Sequence, residues 1–325
     1  MSLESEGAGV RVVAVVVAYN RRDLLMECLS ALCDQTRSLD AIVVVDNAST
    51  DGTHDAVTAR FPDVDLVQVE VNTGGAGGFA IGIDRAITAD NADLVWIMDD
   101  DTIPTPTALH AMLDARSKSR ETPALLASRV VWTDGLDHPM NTPRRKPLAA
   151  AGERRDAASA ESVPVRSASF VSVLVDAGAV RTDGLPVAEY FIWNDDFEFT
   201  ARILRRRRGL FVPNSVVLHK TKARADTDTD PGERFYYEVR NKLWLFRASR
   251  ALSWFETPLY LAATARRWLR TYRHSTDRPT IARTFRAGWR DGIRSRPHRN
   301  SEYLAGLGVG ASVAASLADF EEGDG

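Results

Sequence analysis

The chain has 325 residues, 44% apolar and 26% charged, ordinary proportions for a globular protein with room for one main domain and a smaller appendage. Its net charge of −3 hides an uneven distribution, because residues 240 to 299 hold 15 Lys or Arg against three acids, Glu256, Asp277 and Asp291. Two cysteines, Cys28 and Cys33, are too few for a disulfide framework or a zinc site, and they fit a reducing cytoplasm.

Residues 1–10 are polar and acidic, so they read as a disordered start and not as a signal peptide. From Arg11 apolar runs alternate with amphipathic stretches. Strands are predicted at 11–20, 41–47, 64–72 and 93–99, with helices at 24–33 and 79–87 between them. Near-continuous apolar strands alternating with helices predict an α/β fold, a mostly parallel sheet covered on both faces. Such sheets bind ligands at the carboxyl ends of their strands, where Tyr19, Asn20, Asp46, Asn47 and Asp99 to Asp101 fall.

Residues 144–165 lack periodicity and read as a mobile loop. Order resumes at 168–180, followed by a helix at 194–208, a short strand pair at 209–220 and a polar loop at 221–233. Three helices are expected at about 234–250, 255–274 and 278–294, and the Gly-, Ala- and acid-rich tail is expected to be poorly ordered. This divides the chain into a catalytic unit at 11–233, a helical region at 234–300 and a flexible tail at 301–325. No apolar stretch reaches the roughly 18 residues of a membrane span. The best one, 252–265, is interrupted by Glu256 and Pro258.

The run "VWIMDDDTIPTP" (95 to 106) drives an apolar strand straight into Asp99, Asp100 and Asp101. Adjacent carboxylates raise one another's pKa, so a cation is expected beside them. Helix capping does not account for them, since Thr105 and Pro106 supply a start signal for the next helix. Two carboxylates spaced one apart can meet one divalent ion, and oxygen ligands suit Mg²⁺ or Mn²⁺.

The glycines of "NTGGAGGFA" (72 to 80) permit a close backbone approach to a nucleotide or sugar, and equally a tight packing contact. They follow the third strand and not the first, which disfavours a dinucleotide fold and a nicotinamide oxidoreductase. In "WNDDFEF" (193 to 199) Asp195 and Glu198 have the spacing of a capping box. Asp196 is then left without a structural duty, and with Tyr190, Phe191 and Trp193 just before it suits deprotonation of a sugar hydroxyl. His219, closing the run "SVVLHK", is either a packed residue or a metal ligand.

Together "VVVAYNR", "IVVVDNASTDGT", "NTGGAGGFA", "IMDDD", "NDDFEF" and "VVLHK", in this order, resemble a family 2 inverting glycosyltransferase of the GT-A fold over roughly residues 11 to 250. "FYYEVRNKLWLF" (235 to 246) narrows the resemblance toward the actinobacterial galactofuranosyl- and rhamnosyltransferases of cell-wall glycan assembly. The resemblance implies that Tyr19 and Asp46 bind the uridine or thymidine base, with Asn47, Gly74, Gly75 and Asp100 beside the nucleotide sugar. Asp99, Asp101 and His219 would hold Mn²⁺ or Mg²⁺ on the diphosphate, Asp196 would be the base, and Trp193, Asp195, Arg240 and Asn241 would face the acceptor.

The implied reaction is a single displacement with inversion from a UDP- or dTDP-linked sugar to a glycan or lipid-linked acceptor. A single or initiating transfer fits better than repeated extension. No nucleic-acid partner is expected. Arg-rich helices with Trp254, Trp268 and Trp289 suit the surface of an anionic membrane. The weaker alternatives are a tailoring transferase acting on a soluble natural product and a catalytically dead binding protein.

Overall fold

The computed structural model describes residues 9–221 and 230–323. Its centre is four parallel strands, β1 (Val12–Ala18), β2 (Ala41–Asn47), β3 (Asp65–Val69) and β4 (Leu94–Asp99), in the order β3-β2-β1-β4. β1 is buried at every position, as a strand covered on both faces must be. The sheet continues through β9 (Val173–Asp176), β6 (Leu125–Val131), β10 (Gly209–His219), β8 (Val163–Ser167) and β7 (Arg144–Arg145), and β5 (Thr102–Pro104) pairs antiparallel with β10.

One face is covered by α1 (Arg22–Cys33), α2 (Thr53–Arg60), α4 (Ala108–Lys118) and α5 (Ala151–Ser159). The other carries α3 (Gly74–Thr88), α6 (Ala177–Asp183) and α7 (Asp195–Ile203). Beyond the sheet lie α8 (Phe235–Arg247), α9 (Glu256–His274) and α10 (Arg278–Arg294), as the sequence predicts. The mixed, mostly parallel sheet and the C-terminal helices match the expected architecture.

Several expectations are corrected. Residues 144–165 are not a loop but hold β7, α5 and the start of β8, tied down by Lys146 with Glu153 (2.8 Å) and Arg208 with Asp156 (3.0 Å). Residues 209–219 form one strand, which absorbs Pro213 and Asn214 in a bulge between Val212 and Val216. The tail forms α11 (Asn300–Leu307) and α12 (Ala311–Glu322), and Leu304 and Leu317 are fully buried in the core beneath α3. Thr105 does not start α4, because its hydroxyl is turned to the carbonyl of Val216 and the helix begins at Ala108. The expected disordered start and the polar loop at 221–233 lie mostly outside the described residues.

α3 begins at the glycines themselves. Gly74 has φ +72°, and a Cβ there would lie 2.2 Å from the carbonyl oxygen of Phe191; at Gly78 it would lie 2.5 Å from Val17. Close helix packing against β1 and the 190–194 turn therefore explains both residues.

Candidate active site

Parallel register sets Ala18 beside Asp46 and Val17 beside Asp99, so three strand ends share the carboxyl edge of the sheet. The chain turns at Asp100 and Asp101 into β5, whose Thr102 pairs with His219 at the end of β10. A backbone hydrogen bond from Lys220 to the Asp101 carbonyl (2.9 Å) locks this pairing. Residues more than a hundred positions apart thus converge, and Asp99, Asp101 and His219 bring one ligand atom each within 4.8 Å of one another.

Burial, and then the neighbouring Asp101, raises the Asp99 carboxyl to about 6; burial raises Asp100 to about 7 against the pull of Arg21. Asp101 is also buried, but its contacts with His219 and Arg21 outweigh that and hold its pKa below the usual carboxylate range. Burial alone would lower His219, yet contact with Asp101 raises it. Arg21 reaches Asp100 (3.2 Å) and Asp101 (2.5 Å), so the protein supplies part of the expected cation itself. Sequence reasoning missed Arg21, although its place directly after "AYN" at a strand end was the available signal.

The donor set fits a divalent ion. Oδ1 of Asp101 is buried with no aligned hydrogen-bond donor, and His219 Nδ1 stands 3.1 Å from the amide oxygen of Asn141. A histidine whose other ring nitrogen donates to an oxygen presents its remaining lone pair as a ligand.

Asp196 sits in the first turn of α7, close enough for its charge to act on Asp99. It lines a cavity of about 400 Å³ with Trp193, Asn194, Arg144 and Lys242. Tyr19, half exposed, lines a second cavity of about 660 Å³ with Arg21, Asp101 and Lys220. The acidic cluster thus borders this second cavity through Asp101, while Asp196 lines the first.

The remaining predicted residues mostly position others. Asn47, buried, donates to the Gly74 carbonyl (2.9 Å) and accepts from Thr73, so it holds the glycine turn and does not face a ligand. Gly75 has open space above it. Asp46 is fully buried and accepts from the Ser49 amide (3.0 Å), while its Oδ2 has no partner. Asp100 accepts from the Tyr19 amide (3.3 Å) and from Arg21, which fixes the turn after β1.

Asn241, with no exposure, donates to the carbonyls of Tyr190, Ile192 and Trp193, and Arg240 donates to that of Glu189. Neither is among the residues that line the cavity beside Asp196. They clamp a turn in which Phe191, Trp193 and Asn194 all have positive φ, a strain of about 1 to 3 kcal/mol per residue. The capping box is absent, because α7 starts at Asp195 itself with Asn194 as its cap, and Glu198 turns to Arg202 (2.8 Å) and Ser249 (2.6 Å). Asp195 is buried, and burial followed by the charge of Asp196 raises its pKa well above normal. Asp196 is raised too, by burial, with Lys242 and Arg144 favouring its charged form.

Residues 13–174 match the family described as Glycosyl transferase family 2. Over 202 residues, 60% of its length, the chain is 32% identical to galactofuranosyltransferase GlfT1 of Mycolicibacterium smegmatis, of which it spans 65%, a little less than two thirds. It is 26% identical over 278 residues to N-acetylglucosaminyl-diphospho-decaprenol L-rhamnosyltransferase of Mycobacterium tuberculosis, covering 75% of this chain and 86% of that protein. Among solved structures, S. aureus TarS 1-349 in complex with UDP-GlcNAc aligns with a TM-score of 0.62 at 15% identity, covering 97% of this chain and 88% of that one. GalNAc-T7 with UDP, GalNAc and Mn²⁺ aligns at 0.58 with 15% identity, covering 86% and 55%. These likenesses identify the fold as GT-A.

Proposed function

The chain carries a glycosyl transferase family 2 domain over residues 13–174, and from that premise we propose that it transfers a sugar, galactofuranose or rhamnose, with inversion. The donor is a UDP- or dTDP-linked sugar, and the acceptor is a hydroxyl of a glycan or of a polyprenyl-diphosphate-linked sugar. The names of the two relatives support this choice of sugars and acceptor.

The observation that carries the reading is the convergence of Asp99, Asp101 and His219 within 4.8 Å, with Asp196 acting on Asp99 from the wall of an adjoining cavity. Asp99, Asp101 and His219 would hold Mn²⁺ or Mg²⁺, which neutralises charge on a leaving diphosphate. Asp196 accepts the proton of the attacking hydroxyl, and its raised pKa brings it closer to that of a base working near neutrality. Tyr19 and the cavity beside it take the nucleotide. Arg240 and Asn241 keep the 190–194 turn, and with it Asp196, in place.

The reading extends to a peripheral site on the cytoplasmic face of an anionic membrane. Among the described residues no helix is long and apolar enough to cross a membrane. α9 instead exposes Leu261, Leu269 and Tyr272 along one stripe beside Arg266 and Arg273, with Trp254 and Phe255 exposed just before it. An apolar stripe next to a basic one is the pattern of a helix lying in the headgroup region.

Incubation with Mn²⁺ and UDP-galactofuranose, UDP-galactopyranose or dTDP-rhamnose tests the reading. Consumption of UDP-galactofuranose or dTDP-rhamnose, abolished by EDTA, is expected. A protein that neither binds nor consumes any of the three would overturn it.

A further inference from the structure

We propose that the cavity beside Asp196 is a phosphate subsite, in which Lys242, Arg144, Arg234 and Arg267 hold a phosphate or diphosphate group carried by the acceptor. The inference rests on the reading of Asp196 as the base, and it adds what kind of acceptor that base serves. All four cations line the same cavity of about 400 Å³.

Lys242 projects from α8 and is only 8% exposed. Its ammonium lies 5.0 Å from the centre of the Phe197 ring, and among the described residues no carboxylate is within ion-pair distance of it. Arg144 stands 5.3 Å from the same ring and Arg234 5.4 Å from that of Trp193, and neither has an ion pair among the described residues. Arg267, on α9, is likewise without one. Elsewhere Arg166 is matched by Glu256 and Arg202 by Glu198, each at 2.8 Å, and the buried Arg240 is engaged by backbone carbonyls. Burying the Lys242 charge without a counter-ion is costly, and the three exposed guanidiniums gathered around the same cavity add to that cost.

Aromatic faces offset part of the cost and orient the cations without neutralising them. Among the described residues two carboxylates also line the cavity. Glu238 is engaged by the amide of Asn194 (2.9 Å), and Asp196 accepts from the Phe197 amide (2.6 Å). Among the described residues, four cations against two carboxylates leave an excess of positive charge where a neutral sugar would need only hydrogen bonds. A phosphate or diphosphate supplies the missing charge, and guanidinium and ammonium groups are its usual partners.

The donor also carries a diphosphate. The acidic cluster lies at the other cavity, where Arg21 and Lys220 stand beside Asp101, and that side is left to the donor.

Inorganic pyrophosphate titrated by calorimetry into the full chain in EDTA tests the subsite without requiring turnover. Wild type should bind, and Lys242→Met and Arg144→Gln should each weaken binding about tenfold or more, as loss of a charge-assisted contact does. Arg21→Gln should change it little. Should Lys242→Met fail to fold, Arg144→Gln and Arg267→Gln, both at exposed positions, carry the test.

UDP affinity in Mn²⁺ distinguishes the two diphosphates and should be unchanged in Lys242→Met and Arg144→Gln. Pyrophosphate binding that is absent, or indifferent to these variants, overturns the proposal; so does a loss of UDP affinity in them, which would assign the cations to the donor. Pyrophosphate binding of the expected pattern in a protein that turns over no sugar nucleotide would instead count against the transferase reading alone.

Discussion

His219 Nε2 lies 3.0 Å from Asp101 Oδ1 while its Nδ1 stands 3.1 Å from Asn141 Oδ1, so the ring is fixed between a carboxylate and an amide. The network assigns the Nδ1 proton to the bond with Asn141 and leaves Nε2 facing the acids. Asn141→Leu should therefore weaken Mn²⁺ affinity about 10- to 100-fold, the usual cost of losing such an outer partner. Calorimetric titration with Mn²⁺ measures it. An affinity equal to wild type would remove the basis for reading His219 as a ligand.

Leu317 of α12 and Leu304 of α11 are fully buried in the main core. Asn300 also accepts from the Ala188 amide and donates to the Pro186 carbonyl, both at 2.8 Å, bracing the turn that leads to Asp196. Leu317→Ala should cost about 2 to 5 kcal/mol, as cavities of this kind do. Denaturant unfolding reads this directly, and a loss below about 0.5 kcal/mol, typical of surface positions, would mean the segment is not part of the folding unit.

Asp84 of α3 accepts from Ser316 of α12 (2.6 Å), and its other oxygen is buried without a partner. Burial raises this carboxyl to about 6. Folding thus favours the protonated form, so the stability it contributes is complete below about pH 4 and is lost as pH rises through about 6. The change is on the order of 2 to 3 kcal/mol, since each tenfold gain in proton affinity corresponds to about 1.4 kcal/mol. Asp84→Asn should raise Tm at pH 8 and raise it much less at pH 4. Melts across this range with no difference in pH dependence between the two proteins would refute the assignment.

What could be read in advance followed from local signals. β1, β2 and β4 are apolar at almost every position because both faces of the sheet are covered, and their polar ends mark the site. The grouping of Asp99, Asp101 and His219 was reached through a resemblance, since the β5 to β10 pairing that unites Asp101 with His219 leaves no trace in spacing. α5 escaped notice because distant ion pairs hold it. The stretch 209–220 read as a strand pair, whereas neighbours on both sides keep β10 continuous through a bulge between Val212 and Val216. Arg240 and Asn241 share the helix of Lys242, and burial does not tell them apart, since Arg240 and Lys242 are equally exposed; the partners do, because Arg240 and Asn241 donate to carbonyls of the 189–193 turn while Lys242 lines the cavity.

The exposed stripe of α9 leads to an expected co-sedimentation with vesicles rich in anionic lipid. The attraction should fall as salt rises, because surface charges are screened beyond about 10 Å at 0.1 M. The double variant Leu261→Glu, Leu269→Glu should abolish it without lowering Tm, since neither side chain is buried. Sedimentation that is absent at low salt, or unaffected by the double variant, would count against a membrane role for this helix.

Asp195 and Asp196 are adjacent, yet their surroundings divide the work between them. Asp195 is buried and, unlike Asp196, is not among the residues lining the cavity; burial and the charge of its neighbour raise its pKa. Asp196 lines the cavity, and Lys242 and Arg144 favour its ionised form, which a base requires. Asp196→Asn should retain UDP and Mn²⁺ affinity while lowering turnover by about 10²-fold or more, the range that loss of a general base gives. Asp195→Asn replaces a buried carboxyl that does not line the cavity by an amide of the same shape, so it should keep most activity and melt close to wild type. Steady-state kinetics and melts on both variants decide the matter. An inactive Asp195→Asn beside an active Asp196→Asn would transfer the role of base to the buried residue, and the cavity beside Asp196 would then lose its claim to hold the acceptor.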